Sequence, residues 1–158
     1  MLKPAVIDTN IVVSGLIAAD AGSPIAKILD GMLKGEIPYL MSEELLIQYA
    51  KVLRRPKLAN LHRLTEQEID TLLAEIVANA MWREPAPAEE APDSDDSHLW
   101  RLLASEYGSI LVTGDKLLLS NPPASHSVVS PRNYIDNLLG DVVHERAGSN
   151  QHSRVSSE

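Results

Sequence analysis

The sequence predicts an α/β fold of three layers, with a central, mainly parallel sheet of about four or five short strands flanked by helices. Two observations carry this. The apolar runs Ala5-Val6-Ile7, Ile37–Met41, Ile110-Leu111-Val112 and Val128-Val129 are each of strand length. The longer segments among them repeat apolar residues at helical spacing, and alternating runs and helices build parallel strands with covered faces. In such sheets the binding crevice lies beyond the carboxyl ends of the strands.

Ala5-Val6-Ile7 stops at Asp8-Thr9-Asn10, and Ile11 to Ala19 then reads as a helix, so Asp8 falls at the end of the first strand. Ser23-Pro24 supplies an N-cap with proline in the first helical position; Ile25, Ile28, Leu29, Met32 and Leu33 keep helical spacing until Gly35. Ile37–Met41 is closed by Ser42, whose hydroxyl can cap the next helix while Glu43 and Glu44 favour its positive end. Leu45, Tyr49, Val52 and Leu53 form that helix's buried face, and Arg54-Arg55-Pro56 ends it. Thr65-Glu66-Gln67-Glu68 is a capping box opening a helix that carries Ile69, Leu72, Leu73, Ile76, Val77 and Ala80 on one side.

Residues 84–95, rich in proline, alanine and acid, read as an exposed loop. Leu99, Leu102, Leu103 and Tyr107 then give a helical stripe that Gly108 ends. Ile110–Val112 runs into Thr113-Gly114-Asp115, so Asp115 also falls just past a strand. Ser130-Pro131 starts a last helix through Leu139. The expected organisation is a single domain over 1–143 and a flexible tail over 144–158, where almost nothing is apolar.

A chain of 158 residues is long enough for one domain with its own core. Fourteen basic residues against 22 acidic give a net charge of −8, which argues against holding nucleic acid by bulk electrostatics alone and leaves a local basic patch or a bridging metal. The absence of cysteine excludes disulfides, thiol nucleophiles, iron–sulfur clusters and cysteine zinc sites. His62, His98, His126, His144 and His152 show no paired metal-ligand spacing. Asp8 interrupts the first apolar run before a signal-peptide core can form, and Ile11–Ala19 is far below the roughly 20 residues a bilayer needs, so a cytoplasmic protein without membrane contact is expected.

Asp8, Asp96 and Asp115 are all predicted at one rim, the first and last after strands and Asp96 at the start of the helix leading into the later strand. Taken singly, each has a structural reading as a helix cap or turn residue. Together, three carboxylates without a counter-ion repel one another and lose solvation, a cost a hard divalent cation would remove. Oxygen ligands alone favour Mg²⁺ or Mn²⁺. Such an ion can polarise a phosphoryl oxygen and activate water for attack on a phosphodiester.

With these residues in place, the chain resembles the PIN-domain family of metal-dependent ribonucleases, and within it the branch of toxins from toxin–antitoxin pairs. The resemblance covers roughly residues 4 to 139. It rests on VIDTNIVVSGL at 6–16, SEELLIQYAKVLRRPKL at 42–58, DSDDSHLWRLLA at 93–104, LVTGDKLLL at 111–119 and VVSPRNYID at 128–136. It implies a PIN-like fold and an endoribonuclease in which Asp8, Asp96 and Asp115 bind Mg²⁺ or Mn²⁺ and carry the catalysis. Asn10 and Thr113 would line the site, with Asp93 a nearby acid of unassigned role. It also implies a small antitoxin as partner and pairing into a homodimer.

One position departs from that pattern. Six residues after Ser42, where the family motif places a glutamate, stands Gln48. Its amide keeps an oxygen for a cation or a water but brings no charge and cannot act as a general base. Gln48 lies on the edge of the apolar face and is expected to point into the crevice. Glu44, one turn earlier, could partly substitute through a water, or could be an exposed acid favoured by the helix dipole. The departure supports an alternative reading: a catalytically weakened PIN-like module that binds RNA or a protein partner. A phosphotransferase with Asp8 as nucleophile is a third reading, and Asn10 stands where its second aspartate would be. Lys51, Arg54, Arg55 and Lys57 could hold RNA phosphates or simply decorate a helix C-terminus. Trp82 and Trp100 read as packing residues as readily as stacking ones.

Overall fold

The computed structural model describes residues 2–138 of the chain. Three short strands form a parallel sheet in the order β1-β4-β5: β1 is Ala5–Ile7, β4 Ile110–Val112 and β5 Ser127–Val129. Val6 faces Leu111, and Leu111 in turn faces Val128. A second parallel pair joins β2, Leu40–Met41, to β3, Met81–Trp82. A single bridge between Ala5 and Tyr39 connects this pair to the free side of β1. Helices flank the strands, so the α/β class with a parallel sheet agrees with the expectation. The five strands are divided into three and two, because only Leu40 and Met41 of the run 37–41 enter regular pairing.

The helices form where their caps allow. Helix α1 covers Thr9–Ile17, beginning two residues before and ending two before the expected span. In α2, Pro24–Leu33, Ser23 accepts from the Ala26 N–H and Pro24 occupies the first turn. In α3, Glu43–Leu53, the Ser42 hydroxyl accepts from the Leu45 N–H. Pro56, expected only to stop α3, also opens α4, Pro56–His62, which buries no residue and so has no apolar stripe to reveal it. The box at Thr65 and Glu68 starts α5, Glu66–Asn79, with both reciprocal hydrogen bonds present.

Helix α6, Ser97–Ala104, ends earlier than the sequence suggests. Tyr107 is therefore outside it and 101% exposed, while Gly108 turns the chain at φ 79°. A short α7, Lys116–Ser120, follows β4, and residues 131–138 form the last helix. The expected end of that helix and the tail at 144–158 lie outside the described residues. Loop 84–95 is mostly exposed as expected, yet Ala91 is buried and its N–H donates to the Ser97 hydroxyl, which itself donates to Glu90. No helix among the described residues is long and apolar enough to cross a membrane.

The core lies around β1 and β4, whose residues Ala5–Ile7, Leu111 and Val112 are fully buried with Leu99, Leu102 and Leu103 of α6. Tyr49 of α3 is also fully buried and donates its hydroxyl proton to the Ile7 carbonyl, tying α3 to the end of β1. Replacing it removes a donor and leaves that carbonyl short of a partner. Tyr49→Phe is therefore expected to lower unfolding stability by about 1–3 kcal/mol, read as a reduced urea midpoint with an unchanged slope.

Candidate active site

Asp8 follows β1 directly, and its backbone N–H donates to the Val112 carbonyl at 3.0 Å, fixing it against the end of β4. It occupies the N-cap position of α1, but its side chain makes no capping hydrogen bond. Instead its Oδ2 accepts from the Thr113 hydroxyl at 2.7 Å. Thr113 is fully buried, and its Oγ1 also accepts from the Asp115 N–H at 3.0 Å. One hydroxyl thus links the two strand-end aspartates. Asp115 caps α7 through Oδ1, which accepts from the Leu117 N–H at 2.9 Å.

Asp96 heads α6 without a side-chain cap bond, so capping does not account for it. Asp93, by contrast, uses its carboxylate on the Asp95 N–H in the turn Ser94–Asp96. Thr9 is buried at the start of α1 and donates to Gln48 Oε1 at 2.6 Å, which joins α1 to α3 beside Asp8. Asn10 is exposed one residue further on.

The charges of this group act on one another. Burial pushes the Asp8 carboxyl above its ordinary value, opposed by the Thr113 hydrogen bond and reinforced by Asp115. Asp96 is pushed up to about 6, first by burial and then by the charges of Asp8, Asp93, Asp115 and Asp95. Such mutually perturbed acids mark functional sites more often than chance placements do. Among the described residues, however, no group of three His, Asp or Glu side chains stands ready to hold a metal ion. The donor chemistry fits a hard cation, since the ligands are carboxylate oxygens that repel one another; the carboxylates do not form a closed cage.

His98, two residues after Asp96, is only 7% exposed, and its Nδ1 is buried without a hydrogen-bond partner among the described residues. Burial holds the imidazole below its ordinary value, while Glu44 and Asp8 pull the other way. Spacing gave it no role; its one sequence signal is a polar residue among the buried positions of α6. Glu44 pairs with Arg101 of α6 at 3.6 Å. Of the four basic residues near the end of α3, Arg54 is held by Glu66 at 2.9 Å and Asp70 at 2.6 Å, whereas Lys51, Arg55 and Lys57 are exposed.

Comparison with known proteins bears on what this rim is. A family model described as PIN domain matches residues 4–117. The chain belongs to the PIN-domain family. A solved structure, the RRP44 PIN domain of T. brucei, superposes on it with a TM-score of 0.51 at 9% identity, covering 93% of this chain and 87% of that one. At that identity the likeness concerns the fold alone. No curated protein matches the chain. The PIN fold is a nuclease-type fold, and its parallel sheet is what brings Asp8 and Asp115 to one edge.

The raised pKa of Asp96 has a consequence for stability. An acid whose folded value is about 6 against an ordinary 3.8 is neutral-favouring in the fold, so its ionisation weakens the fold as pH rises through that window. The penalty is absent below the lower value and complete above the upper one. Asp96→Asn is expected to raise the melting temperature at about pH 7 in chelator-containing buffer and to leave it nearly unchanged at about pH 3.5, as thermal melts would record.

Proposed function

We propose that this PIN domain is a Mg²⁺- or Mn²⁺-dependent endoribonuclease that hydrolyses RNA phosphodiesters with a metal-activated water. The observation that carries the reading is the buried Thr113 hydroxyl that links the strand-end acids Asp8 and Asp115, with burial and neighbouring charge raising the carboxyls of Asp8 and Asp96. Asp8, Asp96 and Asp115 would hold the ion. A bound divalent ion supplies Lewis-acid polarisation of the phosphate and acidifies a water.

The chain's own groups set up that chemistry. Thr113 directs its proton at Asp8 Oδ2, which keeps that oxygen an acceptor and fixes the carboxylate plane. Asp115 commits Oδ1 to the α7 cap, which leaves Oδ2 as the oxygen for a ligand. Gln48 is held by Thr9 at the same edge and contributes an amide oxygen without charge. Exposed Lys51, Arg55 and Lys57 would hold phosphates of the incoming strand, while Arg54 is engaged with Glu66 and Asp70. On this reading the protein is the toxin of a toxin–antitoxin pair, cytoplasmic and homodimeric, with a small antitoxin covering the acidic rim.

Asp8→Asn and Asp115→Asn are each expected to lower metal-dependent RNA cleavage by at least about 100-fold with an unchanged far-UV circular dichroism spectrum. Cleavage that persists in both variants, or in chelator, would overturn the proposal. Gln48 favours a second reading, a weakened module that binds RNA or a protein without efficient turnover. Gln48→Glu restores a hard anionic ligand, so it is expected to tighten divalent-ion binding, seen as a lower midpoint when Mn²⁺ is titrated against cleavage or melting temperature.

A further inference from the structure

A cavity of about 530 Å³ lies where the start of α3 meets the end of β3, lined by Glu43, Glu44, Trp82, Arg83, Glu84 and Pro85. Its position follows from the β2–β3 pairing. Trp82 is in register with Met41, and the chain leaves Met41 through Ser42 directly into the first turn of α3, which carries Glu43 and Glu44. The volume falls within the range of about 300–1,000 Å³ typical of small-ligand pockets. Trp82 is 43% exposed there, whereas Trp100 is buried at 3%. An indole left open on a cavity wall offers a flat stacking face for a planar ring.

The charges on the wall select the kind of ring. Glu43, Glu44 and Glu84 outnumber Arg83, whose guanidinium turns to the Trp82 carbonyl at 2.9 Å and to Glu106 at 3.5 Å. Such a wall disfavours an anionic or lone-pair edge turned toward it and accepts hydrogen bonds from N–H groups. Among the RNA bases, guanine presents two adjacent donors on its Watson–Crick edge, N1–H and the N2 amino group, which match the two oxygens of one carboxylate. Adenine and cytosine set their amino group beside a ring nitrogen lone pair that a carboxylate repels. Uracil has one N–H between two carbonyls.

The cavity wall is linked to α6, which Asp96 opens. Glu44 pairs with Arg101, and His98, one turn earlier on α6, lies within range of both Glu44 and Asp8. We propose that this cavity is a guanine subsite, seating an unpaired guanine of the RNA strand with Trp82 stacked on the base and one carboxylate of the Glu43–Glu44 pair accepting from both its N1–H and its N2 amino group. The use of the subsite in substrate selection rests on the ribonuclease reading; the binding itself does not.

The test is a titration of ¹⁵N-labelled protein with GMP, AMP, CMP and UMP in metal-free buffer, following the Trp82 indole N–H signal assigned with Trp82→Phe. GMP is expected to shift that signal at about tenfold lower concentration than the other three, the preference one bidentate carboxylate contact supports. The double change Glu43→Gln with Glu44→Gln is expected to erase the preference and leave the remaining spectrum in place. The proposal is overturned if no nucleotide moves the Trp82 signal, if all four act alike, or if the double variant keeps its preference for GMP. A protein that binds GMP but cleaves no RNA retains the subsite and loses the ribonuclease reading. A protein that cleaves RNA with no response to GMP loses the subsite alone.

Discussion

The hydrogen bond from Thr113 to Asp8 joins residues 105 positions apart, and the rest of the site depends on the alignment that makes it. It exists because β1 and β4 run side by side in the same direction, so that both strands deliver their next residues to one edge. An antiparallel pairing would send Asp8 and Thr113 to opposite ends of the sheet. The Asp8 N–H on the Val112 carbonyl and the Thr113 N–H on the Val129 carbonyl extend the ladder just past the strands, fixing the backbone on which the acids are mounted.

That rigid mounting is what lets acids accumulate where each disfavours the others. The opposing effects at Asp8 show how the fold tolerates them. Burial and Asp115 favour the neutral form, while the Thr113 hydroxyl favours the charged one. Asp96 has no side-chain cap hydrogen bond and is pushed up to about 6. The sheet therefore stores an electrostatic imbalance at its edge, maintained by core packing around β1 and β4 rather than by local pairing.

Much of the fold was legible because its signals are local. Ser23-Pro24, Ser42 and the Thr65–Glu68 box announce helices through hydrogen bonds made within a few residues, and the structure makes each of them. The run before Asp8 and the run before Thr113 are buried strands, as their composition indicates. What was not legible is tertiary. Strand β3 has two residues and exists only because β2 lies beside it; α4 and α7 are too short to show a stripe. Tyr107 has the spacing of a core residue but lies beyond the end of α6. At the site, Asp8 and Asp115 could be located from strand ends, whereas Thr9 on Gln48, and His98 between Glu44 and Asp8, depend on how α1, α3 and α6 meet.

The route by which the chain reaches Asp96 differs from the others. Asp8 and Asp115 emerge from the interior of the sheet, but Asp96 stands at the exit of the segment 84–95, stitched down mainly through Ala91, Glu90 and Ser97. The segment is also tied down by the Ala86 N–H on the Arg101 carbonyl and by Glu89, which accepts from the Ala124 N–H, and Asp96 itself opens α6, whose Leu99, Leu102 and Leu103 are fully buried. The position of Asp96 therefore follows the seating of one helix, while Asp8 and Asp115 follow the pairing of β1 and β4. The acids thus rest on two supports, and a substitution that shifts α6 against the sheet would displace Asp96 while the strand-end pair keeps its hydrogen-bonded frame.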